Sequence, residues 1–203
     1  MVSDRIRYVT GNFYQLQGLR LVPLGLFLLA GAAATAGWLD WLPGMQSSTH
    51  RSQWRGGALF ATLIACALTS LYYRNRYGAV SQFTRRGRDA LIGVAIVVWL
   101  VLMRVDGWLP WPILLNALFV ALCLVITVWA DGRVRRHYLV GAMLWLAMGF
   151  LPALGVRGQA LLVALYAAGG LTLVVCGLGD HLLITRTLTN FADASDGLDP
   201  AIV

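Results

Sequence analysis

Lysine and glutamate are both missing from this 203-residue chain: all sixteen basic residues are arginine and all nine acidic residues are aspartate. Without lysine there is no Schiff base to retinal, pyridoxal phosphate or a carbonyl substrate. Without glutamate there is no glutamate proton relay, no four-helix di-iron cage and no HExxH zinc site. Cysteine is scarce too. Cys66, Cys123 and Cys176 each sit inside an apolar run, where a thiol behaves as a small buried hydrophobe, and no CxxC occurs to hold zinc or exchange a disulfide. The histidines number three. His137 and His181 fall at the ends of apolar runs, with only Asp131 or Asp180 near enough to join them as ligands. They read as interface histidines, and no metal or cofactor is expected.

Apolar residues dominate what is present. The chain is 59% hydrophobic and 12% charged, with a mean hydropathy of +0.70, above the apolar share of about half in soluble domains. Six stretches approach the roughly 20 residues that cross a hydrocarbon core, near 19–39, 56–73, 89–105, 112–130, 137–153 and 159–184. The first is read as a permanent span, because the residues before it lack the apolar core and small-residue cleavage site of a removable leader.

The expected fold is therefore all-α, a polytopic transmembrane bundle of six spans filling residues 19–186. Residues 1–18 precede it as an interfacial amphipathic helix, with Ile6, Val9, Phe13 and Leu16 opposite Arg5, Arg7, Asn12 and Gln15. Residues 187–203, with Asp193, Asp196, Asp199, Gly197 and Pro200, are expected to form a flexible tail. Trp41-Leu42-Pro43, Trp108-Leu109-Pro110 and Phe150-Leu151-Pro152 close alternate spans. That pattern fits three helical hairpins, and equally an interfacial aromatic followed by a helix-ending proline.

The arginines set an orientation. Arg5, Arg7, Arg20, Arg74, Arg76, Arg85, Arg86, Arg88, Arg133, Arg135, Arg136 and Arg186 share one side of a six-span bundle, and Arg51, Arg55, Arg104 and Arg157 the other. Short basic loops stay inside, so both termini are expected to be cytoplasmic in a bacterial-type inner membrane. Arginine forks bind phosphate and carboxylate bidentately and stack on rings such as Tyr72, Tyr73 and Tyr77. Arg74, Arg76, Arg85, Arg86, Arg88, Arg133, Arg135 and Arg136 thus form a candidate face for anionic lipid or an acidic protein partner. Basic loops also serve orientation alone. Nucleic acid is not expected, because the arginines are spread over several short connectors.

The second span carries a stripe of small residues, Gly57, Ala61, Ala65 and Thr69, beside a second stripe of Ala58, Thr62, Cys66 and Ser70. Close backbone approach is how helices associate in lipid, so this span is expected to lie centrally, with a homo-oligomer contact as the alternative use. No ionisable residue falls mid-span, which counts against pumps and proton-coupled transporters. Asn116, Tyr166 and Thr172 remain as neutral hydrogen-bonding groups that could line a ligand site.

Two motifs resemble enzyme signatures. Asp131-Gly132 followed by Arg136 is similar to the opening of the CDP-alcohol phosphotransferase signature, but the stretch from Tyr138 to Phe150 has none of the further aspartates that pattern requires. Gly177-Leu178-Gly179-Asp180 looks like the GxGD motif of intramembrane aspartyl proteases, and Pro152-Ala153-Leu154 like the PAL element of the presenilin branch. That resemblance implies Asp180 as one member of a carboxylate dyad, with Asp131 the nearest candidate partner. The PAL-like triplet precedes GxGD here instead of following it, and the Tyr-Asp partner motif is missing. Three functions follow. The first is a non-catalytic accessory, scaffold or sensor protein with an arginine-rich inner face. The second is a small-molecule binding or transport module, whose size and helix count resemble the substrate-binding subunits of energy-coupling-factor importers. The third is an aspartyl protease-like enzyme.

Overall fold

The computed structural model describes residues 18–41, 48–77, 86–108, 112–130 and 135–196. Among the described residues the chain is all helical. A 3₁₀ turn, Gly18–Arg20, leads into α1 (Leu21–Thr35), followed by α2 (Ser48–Tyr77), α3 (Arg86–Trp108) and α4 (Leu115–Ala130). Helix α5 (Tyr138–Phe150) runs into a second 3₁₀ turn, Leu151–Leu154, before α6 (Gly158–Asp196). Three segments are long and apolar enough to cross a membrane: Gly18–Thr35, Gln53–Arg76 and Gly158–Thr187. Leu115–Ala130 and Tyr138–Leu154 are apolar but shorter.

Local chemistry explains the helix ends. Asp106, in the last turn of α3, accepts the Leu115 and Asn116 N–H groups at 2.9 and 2.8 Å. Its carboxylate satisfies donors that α4 leaves open and sits at the positive end of that helix's dipole. Pro152 lies in the turn that ends α5, and Gly155 closes the turn with φ +85, a left-handed conformation that side chains disfavour. Helix α6 continues past residue 186, where a flexible tail was expected, and stays helical to Asp196. Helix α2 likewise begins at Ser48, ahead of the expected span near 56–73.

Packing places the helices in the order α2, α1, α6, α5, α4, α3. The centre is the antiparallel pair of α1 and α6. A Cβ at Gly25 would lie 2.7 Å from the Gly170 carbonyl oxygen, and one at Gly170 would lie 2.6 Å from the Gly25 carbonyl oxygen. Seven residues along both helices, Gly18 and Gly177 repeat this reciprocal contact. Gln159 donates to the Thr35 carbonyl at the far end. Gly25 on α1 and Gly18 in the turn before it, matched in spacing to Gly170 and Gly177 on α6, let the backbones touch, which is where helix association in lipid finds its dispersion energy. Beside this seam, Leu114, Ala117, Met148 and Ala168 form a small core with Trp145 and Leu165 packed on it.

The expectation of a central second span is corrected. Helix α2 is an edge helix, resting on α1 and on the turn before it. Gly57 and Ala61 are exposed, and nothing lies within 4 Å of a Cβ placed at Gly57. Ala65 and Thr69 are only half-buried. It is the neighbouring stripe that makes contact: Thr62 is buried, and the Cys66 thiol donates to the Arg20 carbonyl at 3.3 Å. The rest of α2 presents Leu59, Phe60, Leu63 and Ile64 outward, and α3 presents Val94, Ile96, Val97 and Val101. Such surfaces are natural against lipid tails, which are as apolar as the side chains themselves.

Candidate functional site

The polar side chains of the interior gather at one end of the bundle, around Asp180 and His181 on α6. Asp180 is wholly buried. Its Oδ1 lies 3.0 Å from His137 Nε2 and 3.6 Å from Arg135 Nε, and its Oδ2 accepts the Tyr138 hydroxyl at 2.9 Å. The Arg135 guanidinium also stacks over the Tyr138 ring, 5.3 Å from its centroid. Both carboxylate oxygens are therefore engaged by the turn that opens α5. A carboxylate taken from water needs this: an unpaired buried charge costs several kcal/mol, whereas a paired and fully hydrogen-bonded one is tolerated.

The glycines before Asp180 explain themselves in the same geometry. A Cβ at Gly179 would collide with the His137 ring, so its bare backbone is what lets the imidazole reach Asp180. Gly177 lies on the Gly18 backbone. Here the GxGD-like run is a packing device: one glycine admits α1, the other admits His137, and the aspartate ties down α5. Its three observed partners are a guanidinium, an imidazole and a phenol. Asp131, the other half of the suggested dyad, lies outside the described residues.

His181, the next residue, is turned about 100° around α6, toward α2. Its Nδ1 lies 2.9 Å from the hydroxyl of Tyr73, which is wholly buried near the end of α2, and that hydroxyl accepts the Leu19 N–H at 3.3 Å. The Tyr73 and His181 rings meet edge-on at 5.8 Å, with Tyr72 6.4 Å from the same imidazole. Two adjacent residues of α6 thus fasten α5 on one side and α2 on the other, with the start of α1 between them. Neither histidine is a simple interface residue, and no group of three potential metal ligands exists among the described residues.

The arginines expected to form one face divide in the structure. Arg135 is corrected: only 4% exposed, it belongs to Asp180 and not to a docking surface. Arg74 and Arg76 at the end of α2 and Arg136 beside the cluster are exposed, as is Arg186 on α6. Arg86 and Arg88 lie in the first turn of α3, with side chains outside the described residues, and Arg85 and Arg133 also lie outside them. The amphipathic segment 1–17 does as well.

The neutral polar groups do not converge. Thr62, Thr69, Ser70 and Thr127 each donate to a carbonyl of their own helix, a common way to settle a hydroxyl in an apolar setting. Asn116 and Thr172 are buried, while Tyr166 is 42% exposed. Six helical residues separate Tyr166 from Thr172, about 240° of turn, so they face different sides of α6. The Thr172 methyl fills the space left by Gly141, and its hydroxyl is buried without a hydrogen-bond partner.

The sequence reading offered Asp131 as the partner of Asp180 and found neither the Arg135, His137 and Tyr138 contacts of that carboxylate nor the contact of Tyr73 with His181. The available signal was the Arg135-Arg136-His137-Tyr138 run, a connector dense enough in donors to satisfy both oxygens of a buried carboxylate. No family model matches this chain, and no curated protein or solved structure matches it.

Proposed function

We propose that the chain is a non-catalytic integral membrane protein of six spans with both termini cytoplasmic, acting as an accessory, scaffold or sensor protein through an arginine-rich inner face. The observation that carries this reading is the division of labour among the arginines. Arg135 pairs with Asp180, the one wholly buried aspartate among the described residues, and Arg74, Arg76, Arg136 and Arg186 are left exposed on segments that the Asp180 and His181 contacts hold together. The alternation of helix direction supports six crossings. The start of α1, the end of α2, the start of α5 and the later part of α6 all meet at the cluster, and Asp106 joins α3 to α4 at the opposite end. Exposed arginines at headgroup depth attract anionic lipid by about 1 kcal/mol each, and their forks equally suit an acidic protein.

The test is copurification in mild detergent, with mass spectrometry of bound lipid and protein, comparing the parent with a variant carrying Arg74→Gln, Arg76→Gln and Arg136→Gln. Loss of a bound anionic lipid or partner, deepening with salt while melting stays unchanged, is the expected result. Retention of every bound species at the parent level would overturn the reading.

A further inference from the structure

We infer that the flank formed by α3 and α4 is matched to a thin bilayer: it gathers phospholipids with short acyl chains and thins a membrane of ordinary thickness around itself. The lengths of the two helices carry this. Helix α3 bears two carboxylates, Asp89 and Asp106, with Arg104 just before the second. An arginine on a long stem can lift its charge toward the headgroups, whereas an aspartate is too short to do so. The aspartates therefore set the limits. They are seventeen residues apart on one continuous helix, a rise of about 25 Å, against about 30 Å for the hydrocarbon core of a typical bilayer.

The position of Asp106 is fixed by contact as well as by sequence. Its two oxygens hold the Leu115 and Asn116 N–H groups at 2.9 and 2.8 Å, so the outer limit of α3 is also the outer limit of α4. Helix α4 has 16 residues from Leu115 to Ala130, a rise of about 24 Å, and Asp131 follows it in the sequence. Two neighbouring helices thus reach the same short limit through different inner boundaries. Trp108 at the outer end of α3 and Trp129 at the inner end of α4 are 81% and 82% exposed, as rings anchored in the headgroup layer are. The apolar segments on α2 and α6 are longer, at 24 and 30 residues, so the mismatch belongs to one flank. That flank is open to lipid. Helix α3 packs chiefly on α4, and Val94, Val97 and Val101 on α3 and Leu122 and Ile126 on α4 are exposed. A span shorter than the core is accommodated by snorkelling, by oligomerising or by thinning the bilayer. Snorkelling is closed to the aspartates, one of which is tied to α4, and the bilayer is the softer element. The inference rests on the six crossings proposed above and is independent of the arginine face.

The test reconstitutes the full chain in nanodiscs of phosphatidylcholine and phosphatidylglycerol whose monounsaturated chains run from about 14 to about 22 carbons, and follows melting in each. The melt should be highest at about 14 to 16 carbons and fall steadily as the chains lengthen. Protein extracted from vesicles holding short-chain and long-chain phosphatidylglycerol in equal amounts should carry the short form with about twofold enrichment. Asp89→Leu removes one limit and leaves Arg88, whose stem can snorkel, as the next charge, so the optimum should move to longer chains. Arg55→Leu, at the exposed outer end of α2, should leave it in place. An optimum at about 18 carbons or longer overturns the inference. So does a flat series, the result expected if further copies of the chain covered the flank, and so does an optimum that Arg55→Leu moves and Asp89→Leu does not. Should Asp89→Leu fail to insert, the parent series and the lipid enrichment decide the matter. A protein that enters discs of every length and melts alike in all of them ends this inference alone; one that enters none ends the six-span reading with it.

Discussion

The seam between α1 and α6 and the outward stripe of α2 look alike when each helix is read alone, yet only the seam brings backbones together. Gly18 and Gly25 are seven residues apart, and so are Gly170 and Gly177 on the antiparallel partner; each glycine's missing side chain is filled by the other's carbonyl. Gly57, Ala61, Ala65 and Thr69 are as small and as regular, but Gly57 meets nothing. A small residue permits close approach without compelling it. In lipid, where exposure of an apolar face carries no penalty, a narrow face is informative only when a second helix has a complementary one at the same interval.

The seam and the edge differ most where charge is buried, at the Asp180 end of the seam. Asp180→Ala removes the carboxylate and leaves Arg135 and His137 without their buried counter-charge, a change that typically costs about 3–5 kcal/mol. The expected outcome is a large loss of folded yield, and a much earlier melt for any protein recovered in detergent. Asp180→Asn, which keeps one acceptor and the side-chain volume, should fall between this variant and the parent. A melt for Asp180→Ala equal to that of the parent would mean that the cluster contributes nothing to holding α5 and α6 together.

The next largest effect belongs to the glycine contacts. Gly170→Leu drives a side chain into the Gly25 carbonyl and the backbone of Leu29. Overpacking of this kind costs about 1–3 kcal/mol, and toward the upper end where the obstacle is backbone and cannot change rotamer. A clear downward shift of the melting transition is expected. The same substitution at Gly57 should leave it in place, and equal shifts at the two sites would erase the distinction between seam and edge.

Composition and the apolar runs made the helical class and the rough positions of the six described α-helices legible before any coordinates. Pro152 marked the end of α5, and Gly177-Leu178-Gly179-Asp180 drew attention to Asp180 without revealing that its glycines pack against Gly18 and His137. Neighbour relations were not legible. The hydrophobic pattern that orders helices in water is nearly uniform in α1, α4 and α5, so which helix faces which rests on pairs such as Gly25 with Gly170, or Gly179 with His137, that only a two-helix comparison exposes. Arg135 illustrates the same limit. Within a run of three arginines nothing local tells the one that turns inward to Asp180 from Arg136, which stays exposed. The end of α6 at Asp196 had a local signal in Gly197 and Pro200 just beyond it, which was outweighed by reading the spaced aspartates after Thr187 as a flexible tail.

The smallest expected effect sharpens the edge assignment itself. Ala61→Leu replaces a methyl with an isobutyl group on an exposed face of α2, one turn from Gly57 and Ile64, which are exposed as well. Leucine is a good helix former and fully compatible with lipid tails, so no penalty arises from propensity, solvation or contact. Substitutions of this kind away from packed features fall within about 0.5 kcal/mol of neutral, and the melt in detergent should be indistinguishable from that of the parent. Thr62 is the internal control, adjacent in sequence but buried against the bundle. Thr62→Leu forces bulk into the contact that begins the attachment of α2 and should shift the melt downward. If Ala61→Leu proves the more damaging of the two, the face now assigned to lipid is in contact with protein, and a second copy of the chain is the first partner to test by crosslinking through that position.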